Sequence, residues 1–179
     1  MLRSYKTEGI VLKRTNIGEA DKIITLFTKH YGKLRLVAKG VRKTKSRKAG
    51  SLEPFNQVQL QIAKGRNLDL ITETQIIDSP QSWRKNLLKV AVAYYLCELV
   101  DKLTADGQVH KNVFDLLGKT LVQIKSANLA KLVRGFEEQL IDELGFGIPE
   151  EVRKQPGSLK DYLEEITERR INSPKLVRN

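Results

Sequence analysis

The sequence predicts an α+β chain in which a small five-stranded β-barrel precedes an all-α domain. Three observations carry this prediction. Apolar and polar residues alternate at period two through short runs between residues 7 and 78, turn signatures separate those runs, and the apolar period changes to 3.6 after Asp78.

Gly9-Ile10-Val11-Leu12-Lys13-Arg14 reads as the first strand. Lys22–Lys29 and Lys33–Gly40 read as the second and third, turned at Tyr31-Gly32. In Lys22–Lys29 either register leaves apolar residues facing outward. In the third strand Leu34, Leu36 and Ala38 share one face, and Lys33, Arg35 and Lys39 the other. Gln57-Val58-Gln59-Leu60-Gln61-Ile62 is strictly alternating, which places its glutamines toward water. Gly65-Arg66-Asn67 then connects to a fifth strand, Leu68–Glu73. The longest connection, Val41 to Pro54, follows the third strand, and a short helix is expected in it around Arg47–Leu52. Five strands with that insertion outline an OB-fold, whose strand 2–3 face and flanking loops bind oligonucleotides. An SH3-like barrel shares the strand count.

Ser79-Pro80 is a helix-start signature, a capping hydroxyl followed by a proline at the first helical position. One stripe of the first helix is read as Trp83, Leu87, Val90, Tyr94 and Cys97, and a second as Leu88, Ala91, Tyr95 and Leu99. An arc this wide describes a central helix. A second helix is expected from about Val109, with Val113, Leu116, Leu117, Leu121 and Ile124 inward. The third starts after Asn128 and stops at Gly145. A loop, Gly145–Gly157, leads to a fourth helix opened by Ser158 and Asp161, and residues 172–179 read as a frayed tail. The expected division is thus a nucleic-acid-binding domain over 1–78 and a helical domain over 79–179.

The charge follows that division. The 179 residues carry a formal net charge of +11; residues 1–80 hold +9 of it and residues 81–179 only +2. Lys29 to Lys48 contains nine basic residues and no acidic one. Such an asymmetry points to a polyanion at one domain. The residues expected to meet it are Lys33, Arg35, Lys39, Arg42, Lys43, Lys45, Arg47 and Lys48. A membrane surface fits less well, because no amphipathic helix accompanies these charges. Stacking partners for bases are few: Phe27, Tyr31 and Phe55 are the aromatic residues near the run, and each fits a core equally. Binding is therefore expected to be weakly sequence-selective. With about four to six phosphates contacted, log K should fall against log salt with a slope of roughly −3 to −4 on single strands. An RNA-directed factor of translation or antitermination is the alternative that the same features allow.

No catalytic constellation assembles. His30 and His110 read as surface residues, and Cys97 as a buried inert thiol that leaves no partner for a disulfide or a multi-cysteine zinc site. P-loop, HExxH and paired CxxC motifs are absent. Glu137, Glu138, Asp142 and Glu143 read as the solvated face of the third helix. A nuclease would need carboxylates beside the basic stretch, and that stretch has none. No enzyme, cofactor or metal is expected. The start, Met1-Leu2-Arg3-Ser4-Tyr5-Lys6, has no apolar signal segment, and the longest apolar run, Val90–Cys97, has eight residues, too few to span a bilayer; a cytoplasmic chain is expected.

Tyr5-Lys6-Thr7-Glu8-Gly9-Ile10-Val11-Leu12, Gly18-Glu19-Ala20-Asp21-Lys22, the run from Gly32 to Lys43 and Leu52-Glu53-Pro54-Phe55 together resemble the bacterial recombination mediator family RecO. Phe136–Gly145 and Arg170-Ile171-Asn172-Ser173 extend the resemblance over nearly the whole chain. It implies an N-terminal OB-fold and a helical C-terminal domain. It also implies binding of single- and double-stranded DNA, strand annealing, and action with RecR in replacing single-strand-binding protein by RecA at gaps. Single-strand-binding protein would be met through its acidic tail. The matching basic positions are Lys33, Arg35, Lys39, Arg42 and Lys43. Some members carry four zinc-binding cysteines where this sequence has Ile148–Pro156 without one, so zinc is not expected and the helical domain is a short form.

Overall fold

A computed structural model of the chain describes residues 4–155, 158–168 and 171. Five strands, β1 (Ser4–Ile17), β2 (Asp21–Thr28), β3 (Gly32–Ala38), β4 (Gln57–Ala63) and β5 (Leu70–Asp78), close into a barrel in the order β1-β2-β3-β5-β4. This is an OB-fold in an α+β chain. The first strand is longer than its alternation suggested because it serves two partners. Its first half pairs with β4 (Ser4 opposite Ala63 to Ile10 opposite Gln57) and its second half with β2, and a register shift between Val11 and Lys13 lets it bend. Closure of the ring between β3 and β5 is one parallel bridge, Val37 to Leu70, where the Val37 N–H donates to the Asp69 carbonyl at 2.9 Å.

The barrel interior holds Ile24, Leu26, Leu36, Val58, Leu60, Ile62 and their neighbours. In β4 the alternation is realised as expected, with Val58, Leu60 and Ile62 fully buried between half-buried glutamines. β2 explains why its sequence favours neither register: Ile24 and Leu26 enter the core, and Thr25, Phe27 and Thr28 are buried as well. The connection from β3 to β4 forms turns in place of the expected helix. One α-type hydrogen bond occurs, from the Leu52 N–H to the Lys48 carbonyl at 3.1 Å, while the Asn56 amide takes the carbonyls of Gly50 and Ser51. A side chain that claims these acceptors competes with helix formation. Val41, Leu52 and Phe55 anchor this connection in buried positions.

The chain forms two compact units. The first is Met1–Pro80 together with Thr104–Phe114, a segment that follows the first helix; the second is Gln81–Leu103 with Asp115–Asn179. Within the first unit the Gly107 N–H donates to the Lys33 carbonyl at 3.0 Å, and Lys33 bridges to Asp106.

Among the described residues five helices follow the barrel: α1 (Leu87–Leu103), α2 (Lys111–Gln123), α3 (Leu129–Glu143), α4 (Glu150–Lys154) and α5 (Ser158–Thr167). The expected start at Ser79-Pro80 is not used. Ser79 donates its hydroxyl to Asn56 at 2.9 Å, and Asn86 caps α1 by accepting from the Lys89 N–H. The later start rotates the buried arc onto Val92, Ala93, Tyr95, Leu96, Cys97, Leu99 and Val100, leaving Leu87 87% exposed and Tyr94 half exposed. The boundaries of α3 are as the sequence predicts, with Asn128 accepting from the Lys131 N–H and the chain turning at Gly145. Glu137 is a correction to the solvated acidic face: it is 5% exposed and accepts the Tyr95 hydroxyl of α1. α4 lies within the expected Gly145–Gly157 loop. The expected frayed tail, 172–179, is outside the described residues. Cys97 is buried, and burial pushes its thiol up, away from the reactive thiolate. No helix among the described residues is long and apolar enough to cross a membrane.

Candidate nucleic-acid interface

The fold treats the eight basic positions differently. β3 points Leu36 and Ala38 into the core, and this alternation leaves Arg35 on the outside. Beyond the strand end, Lys39, Arg42, Lys43, Lys45 and Arg47 are all exposed on the turns leading to β4. The turns are held in shape by backbone acceptors and one carboxylate. Asp21 accepts the Gly40 N–H at 2.7 Å, the Arg42 N–H reaches the Ala20 carbonyl at 2.9 Å, and the Arg42 guanidinium donates to the Gly18 carbonyl at 3.1 Å. The turn between β1 and β2 thus fixes the root of the basic connection. Among the described residues no acidic side chain pairs with Lys39, Arg42, Lys43, Lys45 or Arg47, so their charge faces solvent unneutralised.

Two of the eight are turned inward. Lys48 is half-buried and donates its ammonium to the Ile71 carbonyl at 3.0 Å, tying the connection to β5. Lys33 is 8% exposed; its ammonium donates to the Thr104 carbonyl at 2.8 Å and lies 3.4 Å from Asp106. The same carboxylate stands 3.4 Å from the Arg35 guanidinium, which keeps most of its surface open. Alternation placed Lys33 outward beside Arg35, and the segment 104–108 lying over it explains its burial. The exposed cationic surface therefore runs from Arg35 through Lys39 to Arg47, with Lys33 beneath it.

Of the aromatic residues near the run, Phe27 and Phe55 are buried, and Tyr31 is 40% exposed. Tyr31 contacts Tyr5 of β1, a residue that alternation alone does not bring near the turn; their ring centroids are 4.7 Å apart and tilted by 55°. Tyr5 donates its hydroxyl to Asp69 at 2.8 Å and lies under the Lys64 ammonium, 4.8 Å from the ring centre. Burial, and then the bond to Asp69, push the Tyr5 hydroxyl above the usual phenol range, so it stays a donor. Partial burial raises Asp69, but the Gly65 N–H, the Tyr5 hydroxyl and the Lys64 ammonium outweigh it and hold the carboxyl below its ordinary value. The folded state thus favours the carboxylate. The resulting stabilisation is complete at neutral pH and is lost as pH falls through the depressed value. Urea midpoints followed from about pH 5 to about pH 2 are expected to drop more steeply in the parent than in Asp69→Asn.

No group of three or more metal-binding side chains occurs among the described residues. The arrangement is that of an OB-fold protein with an unneutralised cationic surface at the end of its third strand. Comparison with known proteins is specific. The family described as "Recombination protein O N terminal" matches residues 1–80, and "Recombination protein O C terminal" matches residues 84–152. Proteins named "DNA repair protein RecO" are similar in sequence: one from Roseiflexus sp. (strain RS-1) is 38% identical over 80% of this chain and 51% of its own length. Another, from Alkaliphilus metalliredigens (strain QYMF), is 36% identical over 78% of this chain and 58% of its own. A third, from Trichodesmium erythraeum (strain IMS101), is 40% identical over 83% and 51%. The chain belongs to the RecO family of DNA repair proteins. It spans between 51% and 58% of the length of these three relatives.

Proposed function

We propose that the chain binds single- and double-stranded DNA through its OB-fold domain, residues 1–78, and lets complementary strands anneal on it. The observation that carries this reading is the set of exposed cations Arg35, Lys39, Arg42, Lys43, Lys45 and Arg47, five of them without an acidic partner among the described residues. Each phosphate held by such a cation releases condensed counterions, so binding is driven by charge and weakens with salt. Two strands held on one cationic surface repel each other less, and base pairing then supplies the sequence selectivity that the protein lacks. The reading requires no bond-breaking chemistry and no cofactor. In it the protein works with RecR in the bacterial cytoplasm, at the nucleoid, and helps RecA replace single-strand-binding protein at gaps. The helical domain, residues 79–179, serves protein partners, among them the acidic tail of single-strand-binding protein.

The test is annealing of complementary labelled oligonucleotides at two salt concentrations, with and without RecR. Acceleration at low salt that fades at high salt is expected, with binding to single strands following a log–log slope of roughly −3 to −4. Absence of acceleration at low salt would refute annealing, and a marked preference for matched RNA would reassign the surface to RNA.

A further inference from the structure

Charge explains attraction to any nucleic acid strand, but it does not distinguish paired from unpaired bases. Tyr31 offers a means of doing so. The turn that carries it is rigid: the Tyr31 N–H donates to the Thr28 hydroxyl at 3.2 Å, and that fully buried hydroxyl donates to the Gly32 carbonyl at 2.7 Å. Tyr31 as a residue is 40% exposed, so an aromatic side chain is held at a fixed position within reach of solvent. Behind it stands Tyr5, which is itself immobilised by the Asp69 carboxylate and the Lys64 ammonium. Lys64 pairs with Asp69 at 3.0 Å and so locks the same cluster. Pre-ordering of this kind lowers the entropic cost of binding.

The position suits a strand held by the cationic surface. Tyr31 precedes β3 and Lys39 follows it, with Arg35 midway. At about 3.3 Å per residue this separation is roughly 25 Å, on the scale of the roughly 4–16 nucleotides that one OB-fold accommodates.

We propose that Tyr31, backed by Tyr5, is a stacking platform for an unpaired base of a single strand whose phosphates follow Arg35 toward Lys39. This rests on the nucleic-acid reading above and adds to it a preference for unpaired bases. A base inside a duplex has both faces covered by its neighbours and cannot use the ring.

The test measures affinity by fluorescence anisotropy for a labelled single-stranded DNA and for a blunt duplex of the same length. Tyr31→Ala is expected to weaken single-strand binding by between about fivefold and about a hundredfold, to change duplex binding by no more than about twofold, and to leave the salt slope unchanged. Tyr31→Phe and Tyr31→Trp should bind as the parent does. Tyr31→Leu covers Tyr5 with apolar bulk but has no π face, and it should behave like the alanine variant. The platform is refuted if leucine serves as well as phenylalanine, if single-strand and duplex binding fall together, or if alanine changes neither. A parent protein that binds no single strand would overturn both this inference and the DNA reading, whereas a binding parent with an indifferent Tyr31 would overturn the platform alone.

Discussion

Changing Lys39 and Arg42 together to glutamate is expected to lower single-strand affinity by about a hundredfold at low salt, on the reckoning of about tenfold per lost charge-assisted contact. Both side chains are exposed and have no acidic partner among the described residues, so the lost favourable term is their interaction with phosphate. The salt dependence should become shallower by about 1.4, since each phosphate no longer neutralised contributes roughly 0.7 on a single strand. The loss should be uniform across oligonucleotide sequences, because phosphate contacts carry no base information. Arg42 has one structural duty, its guanidinium bond to the Gly18 carbonyl, but its N–H bond to Ala20 survives any side-chain change. Thermal unfolding of the double variant should therefore stay close to the parent, with about 1 kcal/mol at most lost with that surface bond. A folded double variant that binds as tightly as the parent would show that the phosphates lie elsewhere.

Replacing Gly32 by alanine is expected to cost about 3–5 kcal/mol from strain and steric conflict combined. Gly32 has φ +65°, and a Cβ there would lie 2.0 Å from the Gln108 carbonyl oxygen and 2.8 Å from its nitrogen. Both are backbone atoms, so relief requires lifting the segment around Gln108 away from β3. That movement would break the bond from the Gly107 N–H to Lys33 and open the enclosure around the Lys33 ammonium. Gly18 is the control: it has φ +53° and nothing within 4 Å of an added Cβ, so Gly18→Ala should show the left-handed backbone penalty alone, about 1–2 kcal/mol. Urea unfolding of the two variants gives the difference, and amide exchange at Gly107 reports whether the segment has lifted. Equal costs at the two positions would mean that the segment yields freely.

The parts of this architecture that were legible in the sequence are those decided by near neighbours. The alternation of Val58, Leu60 and Ile62, the Tyr31-Gly32 turn, and the Asn128 cap with its Gly145 stop depend on residues a few positions apart, and the structure has them as the sequence implies. The parts that misled depend on distant ones. Ser79 looks like a helix cap until Asn56, 23 residues away, takes its hydroxyl. Glu137 reads as solvated until Tyr95, 42 residues away, covers it. At the interface the same rule separates the basic residues. Lys39 to Arg47 lie in a stretch with no acidic neighbour, and their exposure follows from that local fact. The fate of Lys33 was settled by Thr104, 71 positions later. Tyr5 gave no signal at all, because its role comes from partners at Tyr31, Lys64 and Asp69.

The stretch Thr104–Phe114 makes the barrel unit discontinuous in sequence, and this matters for how the protein is made and cut. During synthesis at about 5–20 residues per second, the first 80 residues leave the ribosome seconds before the residues that seat Lys33. Over that interval its ammonium lacks the Thr104 carbonyl and the Asp106 carboxylate, and the outer edge of β3 lacks its contact from Gly107. An unpaired strand edge is a template for pairing with another nascent chain. The same holds permanently for a recombinant fragment ended at Pro80, which would keep all five strands and still expose that edge.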